Sequence, residues 1–456
     1  MKKSVILVAI LITAISLLPI VGNSFMKTTI DERLLELKGY GLETKRDEAS
    51  SNYLNSSRHF EFFLKDSQAF TDFLRNYSQK QIPPYVNAMV AGALIGVDVE
   101  YGNLPFAKQL SVEIYPLELS PNFADSLKDY DIDFYKFVDG LLKSKSVAYH
   151  INYNMINKNF DGFIKDLNEN YAFKDGAKLS LDVSGAIFKG KGRIVAPDRI
   201  SSSIKRINFN VQDGKTNLTL NMLGLSGSSN FESANTYLSS ADLASLELSM
   251  SASDENLSFE ALKIKVNVSS NAQGDKVELD SKSSAKEFSF RSSQGDVKIQ
   301  NFRSDFALDG LDKAAFEKLT HLASRANNAQ SVDKELFESA IDLIAKGLEI
   351  KIPELSVNNV ALNGSRNLKG FELRSDIRVI EDKDLISKIN ISPILASENI
   401  DMELKIKLSA EIYAELLDGV PLTSVIENYA KQDGENVVFN ITFKDEKLRI
   451  NEKIVR

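Results

Sequence analysis

The chain has 456 residues, a formal net charge of −8 and 26% charged residues, with both signs interspersed. No concentrated cationic face exists for nucleic acid, and the absence of cysteine excludes disulfides, thiolate nucleophiles and cysteine-ligated metals. At 43% hydrophobic residues, with 26 Phe and no Trp, the chain can bury a core and is not disordered.

Lys2 and Lys3 precede an uncharged apolar run from Val5 to Val21. Its 17 residues stand at the short end of what spans a bilayer core of about 30 Å and exceed the roughly 7–15 residues of a signal-peptide core. The reading is an uncleaved anchor carrying Val5, Leu11, Leu17 and Val21; the alternative is a signal cut after Ser24. Basic residues ahead of the run favour a cytoplasmic N-terminus, so the bulk of the chain is expected outside the cytoplasm. Residues 1–26 form this segment, followed by a mixed region over 27–146.

Within that region, Phe70, Phe73, Leu74 and Tyr77 recur at helical spacing over Asp66–Tyr77, and Pro83-Pro84 stops the pattern. Ser111–Leu119 alternates as a strand and is expected to break at Pro116. Phe134, Phe137, Val138, Leu141 and Leu142 mark a helix over Phe134–Leu142.

From about Val147 to Leu308 the apolar period becomes two. Leu179/Leu181/Val183, Ile207/Phe209/Val211, Leu218/Leu220/Met222, Leu246/Leu248/Met250, Leu262/Ile264/Val266/Val268, Phe288/Phe290 and Val297/Ile299 alternate with polar residues. Turns are expected at Asp213-Gly214, Gly227-Ser228, Ser253-Asp254 and Gln273-Gly274-Asp275. Such a pattern gives each strand one dry and one wet face, a long antiparallel meander. Two helices follow, capped by Asp312 and Asp333, with Phe316, Leu319, Leu322, Leu336, Phe337 and Ile341 inward and Gly347 as the stop. Strands resume over Ile350–Ile352, Phe371–Val379 and Met402–Leu408; a helix pair broken at Gly419 and Pro421 precedes the closing hairpin. The expected fold class is α+β: a long, mainly antiparallel β-sheet meander with amphipathic helix pairs covering one face, after an N-terminal transmembrane helix. Beyond residue 146 the order of elements suggests two modules, 147–347 and 348–456.

No catalytic or cofactor signature emerges. His59, His150 and His321 are scattered too widely for a local metal motif. Gly185–Gly192 (GAIFKGKG) lacks the Ser/Thr of a phosphate loop and reads as a tight hairpin. Gly224–Ser228 lacks the closing Gly of a nucleophile elbow and reads as a turn. Asp129, Asp131 and Asp133 do not continue as a calcium loop, since Phe134 and Gly140 replace its Gly and Glu; negative charge at a helix start explains them. Asn256, in Asp254-Glu-Asn-Leu-Ser258, is a candidate glycosylation site in a polar turn.

The Gly-Tyr-Gly-Leu-Glu segment Gly39–Glu43, the junction Leu308–Leu319 (LDGLDKAAFEKL) and the tail Leu448–Ile454 (LRINEKI) resemble the YdgA-like family of bacterial envelope proteins of unknown function. Two family features depart here: Glu452 stands where a Gly often follows the Asn, and the Arg-Gly pair after the anchor is missing. The resemblance implies a single-pass inner-membrane protein with its bulk in the periplasm, and no known activity.

Three functions are compatible with this sequence. The first is a non-enzymatic protein that binds lipid or another apolar ligand, with Phe288, Phe290, Phe302 and Phe306 as wall residues if the apolar face is a groove and as ordinary core if it is closed. The second is an envelope scaffold that pairs with protein partners through strand edges. The third is a hydrolase with a dispersed carboxylate or Ser/Lys site. The expectation is the first: no enzyme, no cofactor, no metal and no nucleic acid, with the inner membrane and a lipid or envelope protein as partners.

Overall fold

The computed structural model describes residues 23–455 except 25, 33, 79–85, 88–89, 105–108, 194–195, 234, 253–254, 324–329, 364–365, 386, 389–396 and 420–426. The expected anchor residues Val5, Leu11, Leu17 and Val21 lie outside the described residues. No described helix is long and apolar enough to cross a membrane. The chain is mostly antiparallel β-sheet with a few helices, an α+β protein. It divides into two compact units at Lys205/Arg206.

The first unit opens with helix α1, described over residues 23–24, 26–32 and 34–39, which places Met26, Ile30, Leu34 and Leu37 on one stripe. Strands β1 (Leu42–Ser51), β2 (Asn55–Leu64), β3 (Leu94–Gly102), β4 (Gln109–Glu118), β5 (Tyr149–Asn154) and β6 (Asn159–Ile164) follow. Each pairs antiparallel with the next. Helices α2 (Ser67–Ser78), α3 (Pro121–Tyr130) and α4 (Ile132–Lys143) interrupt them. Asp131 caps α4, accepting from the amides of Asp133 and Phe134, which accounts for the acidic triplet. Beside α4, the hairpin β7 (Leu167–Ala172) and β8 (Lys178–Ser184) brings Tyr171 to 5.0 Å from the Phe134 ring, with Phe137 and Phe173 completing the cluster.

Two expectations fail here for physical reasons. Strand β4 runs through Pro116 unbroken: its pairing with β5 ends at Ile114, so that side of the strand is an edge where proline is tolerated, and Pro116 stays in register with Ile95 of β3 next to an irregularity at Leu94/Ile95. Gly185–Gly192 is not a hairpin: β9 (Ala186–Arg193) pairs in line with β6. Its glycines make room for aromatic rings, since a Cβ on Gly190 would stand 2.3 Å from Phe160 and one on Gly162 2.5 Å from Phe188.

The second unit is a meander of long strands. After β10 (Ala196–Asp213), which holds the division between the units, come β11 (Thr216–Ser233), β12 (Thr236–Ala252), β13 (Glu255–Gln273), β14 (Lys276–Ser292) and β15 (Gly295–Asp312). Helices α5 (Lys313–Ala323) and α6 (Gln330–Ala345) precede β16 (Leu348–Leu362), β17 (Arg366–Val379) and β18 (Ile400–Ser409). Helix α7 (Ala410–Gly419) and strands β19 (Lys431–Asp433), β20 (Asn436–Lys444), β21 (Lys447–Ile450) and β22 (Lys453–Ile454) close the chain. From β11 to β18 every strand pairs antiparallel with the next, and β18 pairs with β20.

Asp312 caps α5 through the amide of Ala315, as expected, and Gly347 (φ 77°) closes α6. Helix α6 begins three residues before Asp333, and Phe337 is 61% exposed instead of inward. Against the sheet the helices bury Val277, Leu311 and Leu348, with Leu279, Leu308 and Ile350 packed around them. Farther along the same face Leu248, Met250, Leu257, Phe290 and Val297 each remain more than a third exposed.

A transverse crease crosses this sheet. Ordinary alternation places apolar residues two apart, yet every strand from β11 to β17 contains one step of three: Met222 to Leu225, Leu243 to Leu246, Ala261 to Ile264, Ala285 to Phe288, Ile299 to Phe302, Val357 to Val360 and Leu368 to Phe371. The register aligns the steps in one row running through Gly224, Ala244, Lys263, Lys286, Asn301, Asn358 and Gly370. On alternate strands the row residue is left-handed: Gly224 (φ 63°), Lys263 (φ 51°) and Asn301 (φ 55°). A left-handed residue inverts the side-chain phase, and the three-residue step inverts it back, so one face stays apolar along the whole strand. The T-shaped contact of Phe288 with Phe302, 5.7 Å between centroids, requires this, because straight alternation puts those rings on opposite faces. The Gly224–Ser228 segment is therefore strand and not turn. Gly224, Ala244, Lys263, Lys286, Asn301 and Asn358 of the row are exposed, whereas Ala261, Ala285, Val357 and Leu368 beside them are buried; at Gly370 a Cβ would run into the Val357 carbonyl of β16.

The crease predicts opposite responses at one position. Lys263→Gly should be neutral or stabilising by up to about 1 kcal/mol, because glycine holds φ > 0 without a Cβ clash. Lys263→Val should cost about 1–2 kcal/mol. Urea unfolding of the two variants checks this; equal destabilisation would remove the left-handed residue from its structural role.

Candidate functional site

The first unit contains the most enclosed apolar space described. The even-numbered residues of β2 point to one face of the sheet, and Phe60, Phe62 and Leu64 are buried there. Helix α1 lies over them and packs its stripe against Phe60, Phe62, Val99 and Tyr101. Packing is incomplete: a cavity of about 370 Å³ remains between helix and sheet, walled by residues that include Ile30, Leu34, Phe60, Phe62, Val97 and Leu110. Thr29 is the one polar residue among the described walls. The volume falls within the range of about 300–1,000 Å³ typical of small-molecule sites.

Two polar clasps hold α1 on the sheet. At its start, Asn23 Oδ1 accepts from Tyr101 OH (3.0 Å) and Ser56 Oγ (3.2 Å), and Asn23 Nδ2 donates to Ser51 Oγ (3.2 Å). At mid-helix, Arg58 shares the face of Phe60 and Phe62, is 9% exposed, and lies 4.9 Å from the Phe60 ring centroid. Its Nε and Nη2 donate to both oxygens of Asp47 on β1 (2.8 and 2.7 Å), while Nη1 makes a single bond to Asp31 of α1 (2.6 Å). Hydrogen bonding to Arg58 holds the Asp47 carboxyl below the usual carboxylate range, and Asp47 in turn raises Arg58.

The opposite face of the sheet is polar. An open groove of about 790 Å³ there is lined by Glu48, Ser57, His59, Asp98, Glu113 and His150, among others. Asp98 gathers His59 Nδ1 (2.6 Å), Lys145 Nζ (2.6 Å) and Tyr115 OH (3.0 Å), and Lys145 stands 4.0 Å over the Tyr115 ring. Burial pushes the Asp98 carboxyl up, but the Lys145, His59 and Tyr115 donors together hold it below its ordinary range. Burial raises Tyr115, and Lys145 is raised by Asp98 against the effect of burial. The four side chains satisfy one another around a single carboxylate and tie β2, β3, β4 and the segment after α4 together. Although this groove is the larger, the apolar cavity is the better candidate for a ligand, because its described walls, set between a helix and a sheet, are apolar apart from Thr29.

The residues singled out from sequence are dispersed. His59 and His150 line the polar groove, His150 stacked on Phe163 (4.9 Å), and His321 stands on α5. No group of three metal-ligating side chains forms among the described residues. Phe288 and Phe302 meet in the crease, with Phe259 stacked on Phe288 at 6.3 Å, while Phe290 and Phe306 are 40% and 38% exposed on their strands. Asn256 is exposed near the start of β13, opposite Ser251; Asp254 lies outside the described residues. The α1 cavity was missed in the sequence. Its signal was the stripe Met26, Ile30, Leu34, Leu37 facing the alternating Phe60, Phe62, Leu64.

The Arg58 clasp predicts an acid-sensitive unit. Asp47 has a depressed pKa when folded, so its stabilisation is present above the unfolded carboxylate value of about 3.9 and is lost as pH falls through the folded value. Below about pH 4 the wild type should lose stability more steeply than Asp47→Asn. Denaturant midpoints across pH 2–6 check this, and parallel curves would contradict it.

No curated protein and no solved structure matches the chain. The family described as bacterial protein of unknown function (DUF945) matches residues 151–456, in line with the resemblance drawn from the Leu308–Leu319 junction and the Leu448–Ile454 tail. This chain belongs to that bacterial family.

Proposed function

We propose that the protein works by binding an apolar chain, without catalysis, in the cavity beneath α1. One observation carries this reading: a space of about 370 Å³ with apolar walls under a helix tied to its sheet by a few polar bonds. An empty apolar space costs stability in proportion to its size, and a ligand that fills it recovers that loss. In this reading the run Val5–Val21 holds the chain at the bacterial inner membrane with its bulk in the periplasm, and lipid is the ligand at hand.

In the second unit the same reading gives Phe288, Phe290, Phe302 and Phe306 a role as an apolar wall along the crease. It is secondary because its outer members lie open to solvent.

The test is native mass spectrometry with solvent extraction of the full chain purified from its membrane. Stoichiometric lipid or another amphiphile is expected on the wild type. Ile30→Trp, which fills the cavity from the helix side, should lose it while circular dichroism stays unchanged. A wild type that is empty and takes up no apolar probe would overturn the proposal.

A further inference from the structure

We infer that the ligand of the α1 cavity is an anionic amphiphile whose head takes the place of Asp31 on Arg58. This deepens the apolar-chain reading and rests on it. Arg58 is a cation beside the cavity walls: it shares a strand face with Phe60 and Phe62, and its guanidinium lies against the ring of Phe60, itself a wall.

The two carboxylates on Arg58 are unequal. Asp47 engages it through two parallel bonds from the neighbouring strand, the strong bidentate form. Asp31 makes one bond from the helix and keeps nearly half its side chain exposed (46%). Asp31 is therefore the exchangeable partner. Moving it away with nothing in its place would leave a nine-tenths buried guanidinium with an unused donor, which is costly. A carboxylate or phosphate head arriving with a hydrocarbon tail replaces that bond as the tail fills the cavity. A neutral head can accept the same hydrogen bond but brings no charge to balance the guanidinium, so its bond is the weaker one. The Asp31–Arg58 bond thus acts as the latch of a lid, and the ligand's charge selects for entry.

Competitive native mass spectrometry on the full chain in amphipol tests this with dodecanoate and dodecan-1-ol, which share a tail and differ in head charge. The wild type should prefer dodecanoate by at least about tenfold. Asp31→Asn, which removes the competing carboxylate, should strengthen dodecanoate binding several-fold and leave the alcohol unchanged; a merely structural Asp31 would weaken both. Arg58→Gln should abolish the preference. Should Arg58→Gln fail to fold, the sign of the Asp31→Asn effect decides alone. Equal affinity for both compounds in the wild type would overturn the charged-head inference and leave the apolar reading standing. Binding of neither would overturn both.

Discussion

A strand shows alternate side chains to opposite faces, and in a sheet wetted on one side the sequence must keep that alternation in phase from end to end. Much of this protein answers that one constraint. In the first unit the strands before β10 are short and β2 keeps one phase from end to end: Ser56, Arg58, Phe60, Phe62 and Leu64 all face the same way, and a helix closes over them. The second unit uses strands of 17–19 residues from β11 to β15. There the apolar phase steps once in every strand from β11 to β17 at one level, and on β11, β13 and β15 a left-handed residue inverts the backbone with it.

Arg58 is the costliest residue to place in the first unit, a charge set into a row of phenylalanines. Its burial is tolerated because two carboxylates reach it from different elements. The same arrangement joins β1, β2 and α1, so tertiary structure passes through one side chain. Around it apolar packing is unfinished, and an unfinished core beside a paired buried charge is an arrangement suited to accepting a molecule with a greasy end and a charged end.

The fold class was legible because the period of two is sustained through Leu179–Ile299 and the caps at Asp131, Asp312 and Gly347 use ordinary helix-end chemistry. Other features required spatial information. Gly190 read as part of a tight hairpin, although it is a space for Phe160 on the neighbouring strand. Gly224 looked like a turn because a left-handed residue inside a strand has the same local signature as one ending it. The three-residue steps were present in the sequence but carried no meaning strand by strand; only the register, which aligns Lys263 with Lys286 and Lys286 with Asn301, shows them to be one feature. The cavity was hidden for a similar reason, since its two walls are separated in sequence and a gap between them leaves no local pattern.

The crease also bears on unwanted self-association. A sheet edge is a template for any extended chain that can match it, and long edges are the greater hazard. A strand of ordinary alternation that paired with a creased strand in place of its proper neighbour would place its apolar residues correctly on one side of the row and on the wet face beyond it. Only half of such an intruder can be accommodated. Full-length pairing is reserved for a strand carrying the same step of three at the same level, so the row that shapes the sheet also serves as a key against foreign chains.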